Sequence, residues 1–429
     1  MTGNVLPSTL LKFRLVLRGA FALAIAVWLS GVARAQEITV QHIDADVKVL
    51  TDKFMKEHPG TKVNFRLVSY QSILESLPVQ LGSGQGPDVS MVGDWGGLSR
   101  YYLDLRPYVD AGYFEREFGS VLVPMRGMDR KGNAINGMSG SMTLNGAFVN
   151  LTLFKQAREP LPKSGATWDD WAAAAVRVAK ATRTEIPMEM DRSGHRFASL
   201  AISYGAKLVD DEGYPVIDEG LKTAIRTFVD WHRNGTMPMD LWGAVGGATH
   251  RDNFQDFMNG KVVFYFGGSW ALFKMDSAVG ELFEWAVVDA PCGISSCTVM
   301  PGGGAMVAFK HTKQPRLAAQ FIAFLAREDN MREAMGRHTN IPVATTLVKT
   351  GVDYPGTSER VREALASFTR QVPKIPKDAY AFQGWRFQRA AMNSMTTRIS
   401  QVLSNELDVD TAAAFIKKDV LLAIQAAKR

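Results

Sequence analysis

Short runs of alternating apolar and polar residues interleave with longer runs whose apolar positions recur every three or four residues. "EITVQHI" (37–43) alternates as a half-buried strand does, and the segment after it sets Val47, Leu50 and Phe54 on one helical face before Pro59 and Gly60 stop it. "TKVNFRLVSY" (61–70) predicts a second strand, "SILESLPVQLGSG" (72–84) a second helix and "PDVSMVG" (87–93) a third strand. Strand–helix–strand–helix–strand implies a parallel sheet with right-handed crossovers.

The α/β texture continues to the C-terminus. Thr167 opens a helix over 167–182 with acidic residues in its first turn. "DDEGYP" (210–215) predicts a tight turn, and 219–235 a helix with Leu221, Ile225, Phe228 and His232 on one face, closed by Gly235. Residues 315–328 and 386–427 are strongly helical in pattern. "VVFYFGGSW" (262–270) predicts a strand buried on both faces, broken by two glycines and a serine before Trp270. A chain of 429 residues suits two domains. With no Pro/Ser-rich linker between its halves, it is expected to cross between them several times, leaving a cleft at the crossings.

The N-terminus carries Lys12, Arg14 and Arg18, then the apolar run "AFALAIAVWLS" (20–30) and the small-residue site "ARA" (33–35). That order predicts a cleavable secretory signal over 1–35 and a mature, exported, soluble chain from near Gln36. It also changes the charge. Four of the 49 basic side chains lie in 1–35, which holds no acidic one, so 45 basic groups face 43 acidic ones and the balance falls from +6 to +2. Nucleic acid is therefore not an expected partner. Cys292 and Cys297, five apart in "CGISSC", favour a small disulfide-closed loop in an exported chain, the alternative being two free thiols. Two sulfurs without a nearby histidine make a poor metal site. No metal or cofactor is expected.

Eight segments in order resemble the extracellular solute-binding proteins of bacterial ABC sugar importers, the maltose-binding-protein superfamily. They are "VKVLTDKFMKEHPGTKV" (47–63), "GQGPDVSMVGDW" (84–95), "SGSMTLNGAFVNLTLF" (139–154), "WDDW" (168–171), "FMNGKVVFYFGGSW" (257–270), "PGGGAMVAF" (301–309), "AAQFIAFLA" (318–326) and "NIPV" (340–343). The resemblance implies a type II periplasmic binding protein fold: two α/β lobes joined by crossover hinge strands near 138–142, 286–290 and 335–340, with a cleft between them. The N-terminal lobe would take 36–140 plus 287–335 and the C-terminal lobe 141–286 plus 336–429. It implies a monomer in the periplasm that closes on a carbohydrate and delivers it to permease subunits driven by a cytoplasmic ATPase.

By the same resemblance Trp270 faces the ligand, where an indole stacks on the C–H face of a pyranose, and Trp385 supplies a late aromatic contact with Arg386 beside it. Asp94 and Trp95 follow the third strand at a carboxyl end, where open α/β sheets bind ligands. Further candidates are Gln41, His42 and Asp44 after strand 1, Ser72 at a helix start, Ser141 and Thr143 at the first crossing, Thr249, and the backbone of Gly302, Gly303 and Gly304. Trp168, Trp171, Trp231 and Trp285 fall in core patterns. Neutral donors dominate this set, which suits a neutral sugar, a sugar alcohol or a sulfonated sugar. The Gln41-His42, Ser72 and Thr249 set loosely resembles binding proteins for sulfoquinovose glycosides, and a glycerol-phosphate type is the lesser alternative. A secreted glycoside hydrolase is the rival class. Its acidic pairs would be Asp169/Asp170 and Asp210/Asp211, which occupy a helix start and a turn, and no G-x-S-x-G or H-E-x-x-H motif occurs. An enzyme is not expected.

Overall fold

The computed structural model describes residues 36–126, 132–243 and 249–427. The signal assigned to 1–35 lies outside the described residues.

β1 (Gln36–His42), β2 (Thr61–Leu67) and β3 (Val89–Val92) form a parallel core in the order β3-β1-β2. Helices Val47–Glu57 and Tyr70–Gly82 make the crossovers, as the apolar spacing predicts. The second helix starts earlier than expected. Its N-cap is Ser69, whose hydroxyl accepts the Ser72 N–H, so Ser72 sits inside the first turn and does not open the helix.

The second sheet is built on β4 (Ser141–Asn150), a ten-residue strand buried over its last seven positions. β5 (Ile186–Met190) lies parallel to β8 (Val262–Gly268), and β4 runs antiparallel to β8. β9 (Trp285–Val288), β10 (Pro301–Gly302) and β12 (Ile341–Pro342) also pair with β4, while β6 (Arg192–Ser193) and β7 (His250–Arg251) make a separate two-stranded ribbon. Thr167 caps the Trp168–Thr182 helix through a capping box with Asp170. Asp218 caps Glu219–Arg233. The long helical tail divides into Gln388–Leu403 and Val409–Ala426.

The chain leaves the first sheet before Ser141, returns through β11 (Ala305–Ala308), which pairs antiparallel with β3, and reaches the second sheet again at Ile341. The return falls between Gly302 and Ala305, later than the expected 286–290. β9 and β10 both pair with β4, and the Cys292–Cys297 disulfide loop between them is held by the second lobe. Cys292 N–H bonds the Ala166 carbonyl, Trp168 N–H bonds the Cys292 carbonyl, and the Trp168 indole donates to Thr298 at 2.7 Å. Residues up to 302 therefore remain with the second sheet. Trp168, Trp171, Trp231 and Trp285 are all buried in that lobe's core.

Candidate functional site

Residues just past β2 and β3 meet the second lobe: the Tyr70 ring meets His250, and the backbone at Gly96 meets that at Gly384. Gly96 marks how close they come: a Cβ there would lie 2.2 Å from the Gly384 carbonyl oxygen. Backbone meets backbone, so only glycine fits.

Asp94 follows β3. One carboxylate oxygen accepts the Gly97 N–H at 2.9 Å. Burial raises its pKa to about 6, opposed by that N–H and by the charge of Arg389. At neutral pH it is mostly ionised and its second oxygen can accept ligand hydroxyls. Trp95 and Trp385, expected to wall the cleft, are both fully buried, and their indole N–H groups donate to the carbonyls of Gly303 at 3.2 Å and Gly213 at 3.0 Å. Trp385 packs on Phe382 and Phe387 within the second lobe, and neither indole presents a face to a ligand here. Trp270 alone keeps partial exposure. The three indoles do not share one exposed wall, because Trp95 and Trp385 are packed into buried surroundings.

The Trp270 ring folds back over its own strand. A Cβ on Gly268 would lie 1.7 Å from the ring, which accounts for the glycine. One ring face is taken by the Arg196 guanidinium, 4.0 Å from the centroid. Arg196, at the start of the Gly194–Ser203 helix, pairs with Asp191 at 3.0 Å and Asp252 at 3.3 Å. Asp191 also accepts the Tyr265 hydroxyl at 2.6 Å and the Asn253 N–H at 2.7 Å. Burial pushes Asp191 up to about 6 against the pull of Arg196. Asp252 is brought down to about 2: burial works the other way, and His250 and Arg196 outweigh it. His250 lies 3.6 Å from Asp252 and meets the Tyr70 ring edge-on, with centroids 5.8 Å apart. Tyr70 begins the helix after β2, so this polar chain runs from the core of the second lobe to the first.

The remaining candidates spread around this centre. Gln41 is buried at the tip of β1, where the His42 ring accepts the Asp44 N–H at 2.9 Å. Burial lowers His42 to about 4 against the charge of Asp44, so the ring is neutral at pH 7. His195, with Nε2 between the Pro301 carbonyl at 3.1 Å and Gln383 at 3.2 Å, is lowered to about 3 by burial. Ser141 and Thr143 are half-buried on β4, and Thr249 donates to Asn393 at 3.0 Å. The Gly303 and Gly304 carbonyls are taken by Trp95 and Ser139, and Arg386 lies over the Phe387 ring. Sequence reasoning missed Tyr70, Asp191, Arg196, His250, Asp252 and Arg389. Arg196 and Asp191 lie just past β5, and that strand-end position is the signal that could have found them.

The model of the bacterial extracellular solute-binding protein family matches residues 50–360, and the chain belongs to that family. Among solved structures it is similar to the GacH receptor of Streptomyces glaucescens, solved unliganded and with acarbose: 18% identity, 90% of this chain and 97% of that one covered, TM-score 0.73. The cyclic alpha-maltosyl-1,6-maltose binding protein of Arthrobacter globiformis has 18% identity, 90% and 97% coverage and a TM-score of 0.68. An ABC substrate-binding protein from Listeria monocytogenes in complex with cycloalternan has 16% identity, 91% and 99% coverage and a TM-score of 0.71. At these identities the likeness is one of fold. No curated protein sequence matches the chain.

Proposed function

We propose that the protein is the periplasmic solute-binding component of an ABC importer, capturing a carbohydrate between its lobes and delivering it unchanged to membrane permease subunits. The observation that carries this reading is the convergence of Asp94 and Tyr70 from the first lobe on Trp270, Arg196 and His250 from the second. A sugar ring would pack on the exposed part of the Trp270 indole while its hydroxyls reach Asp94. Contacts made to both lobes favour the closed form over the open one, and that difference alone drives closure. The Tyr70–His250 contact must part to admit the ligand. The solved relatives described with acarbose, cyclic maltosyl-maltose and cycloalternan support a carbohydrate.

Calorimetric screening against neutral mono- and disaccharides, sugar alcohols, sulfosugars and sugar phosphates tests the reading. One carbohydrate class is expected to bind and to be recovered intact. Release of sugar from glycosides would favour the hydrolase instead, and silence across the panel would remove the carbohydrate. Gly268→Ala is a sharper probe. Its methyl group would displace the indole, so binding should weaken roughly tenfold, the value of one aromatic contact. Affinity equal to the parent's would take Trp270 out of the site.

A further inference from the structure

Arg389 is a half-buried cation without a counter-charge among the described residues. It occupies the second position of the Gln388–Leu403 helix, and among the described residues its guanidinium has no hydrogen bond, ion pair or ring partner. The neighbouring cations are engaged: Arg196 by two aspartates and Trp270, Arg386 by Phe387. Nor is the position neutral for a cation. A positive side chain in the first turn opposes the helix dipole, and no side chain caps this N-terminus. A partly desolvated charge without a counter-charge is costly.

Arg389 nevertheless belongs to the site. Its charge is felt at both Asp94 and Tyr70, lowering each against the rise that burial causes. It makes no ion pair with Asp94, and one turn further along its helix Asn393 accepts the Thr249 hydroxyl at 3.0 Å, which sets the helix start beside the His250–Asp252 segment. Its helix packs on the Gly194–Ser203 and Glu219–Arg233 helices of the second lobe, whereas Asp94 belongs to the first.

We infer that the ligand is a carbohydrate bearing one anionic substituent, a carboxylate, sulfonate or phosphate, and that Arg389 is the residue that binds it. This rests on the carbohydrate reading above. The sugar hydroxyls go to Asp94 and the ring to Trp270, so the charge is read from the second lobe and the hydroxyls from the first. Binding of the anion then contributes directly to closure. Arg386, the site candidate beside Trp385, is turned onto Phe387.

The test uses the mature protein in calorimetry with glucuronate, sulfoquinovose and glucose phosphate, each against glucose, and with the corresponding disaccharide pairs. One acidic member is expected to bind at least about tenfold tighter than its neutral parent, with an affinity that falls as salt rises. Which member binds identifies the anion. Arg389→Gln should cost that ligand roughly 10- to 100-fold, the range for a hydrogen-bonded charge. Arg389→Lys should recover part of it. Unliganded melting temperatures of both variants check folding, and the acidic-versus-neutral comparison on the parent needs no variant. Equal affinity for neutral and acidic partners, or an undiminished affinity in Arg389→Gln, overturns the inference and leaves the carbohydrate reading standing. Absence of binding by every sugar removes both.

Discussion

Replacing Asp191 by alanine is expected to destabilise the protein by about 3–5 kcal/mol, the cost of breaking one side of a buried charge pair. Asp191 is fully buried and serves three donors: Arg196 at 3.0 Å, the Tyr265 hydroxyl at 2.6 Å and the Asn253 N–H at 2.7 Å. Alanine removes the shared acceptor of all three. Arg196 would keep Asp252, which is partly exposed and so compensates only in part. Urea unfolding of parent and variant measures the difference, and Asp191→Asn, which keeps the shape without the charge, should fall between them. A loss under about 1 kcal/mol, the level of an exposed ion pair, would show that the pair is solvated in the protein. The same variant frees Arg196 from its anchor and should loosen Trp270, so ligand affinity should drop alongside stability.

Glu189→Gln is expected to do the opposite, and only at high pH. Glu189 is buried on β5 and accepts from the Asn253 side chain, while its second carboxyl oxygen has no partner among the described residues. Burial raises its pKa from 4.5 to about 8, with Asn253 pulling the other way. A group whose folded value lies above its unfolded one binds more protons in the folded state. Its stabilising share is therefore complete below about pH 4.5 and is lost as pH rises to about 8. The shift corresponds to roughly 3–5 kcal/mol across that window. Glutamine carries no charge to bury, so the variant should match the parent near pH 5 and exceed it near pH 9 by about that amount. Unfolding curves at both pH values decide it. A difference independent of pH would mean that water reaches the carboxylate.

The buried histidines work on the acid side. His42 and His232 are lowered to about 4, and His195 to about 3, by burial. Their folded values lie below the unfolded 6.5, so their contribution is lost as pH falls from that value. The two limbs overlap between pH 4.5 and 6.5, where they oppose each other.

Much of this fold was legible along the chain because its signals are local. Alternation marked the strands, and Thr167 set a helix start through contacts three residues away. Where the signal was ambiguous between neighbours, the reading slipped: Ser69 and Ser72 are both competent caps, and geometry selected Ser69. The site was less legible. Asp94 and Trp270 fall at strand ends, which pattern can find. Arg196, Asp191, Asp252 and His250 meet only because β5, β6 and β7 bring separate segments together, and nothing in their spacing announces it.

Residue order by itself determined the strand and helix pattern, the parallel start of the first sheet, and the glycine break before Trp270. These depend on steric and periodic preferences within a few residues. Tertiary structure alone decided that Trp95 and Trp385 are buried while Trp270 keeps partial exposure, that the chain returns to the first sheet after Gly302, and that Arg389 has no partner among the described residues. Exposure and charge compensation are sums over neighbours distant in the chain, so no single stretch of it contains them.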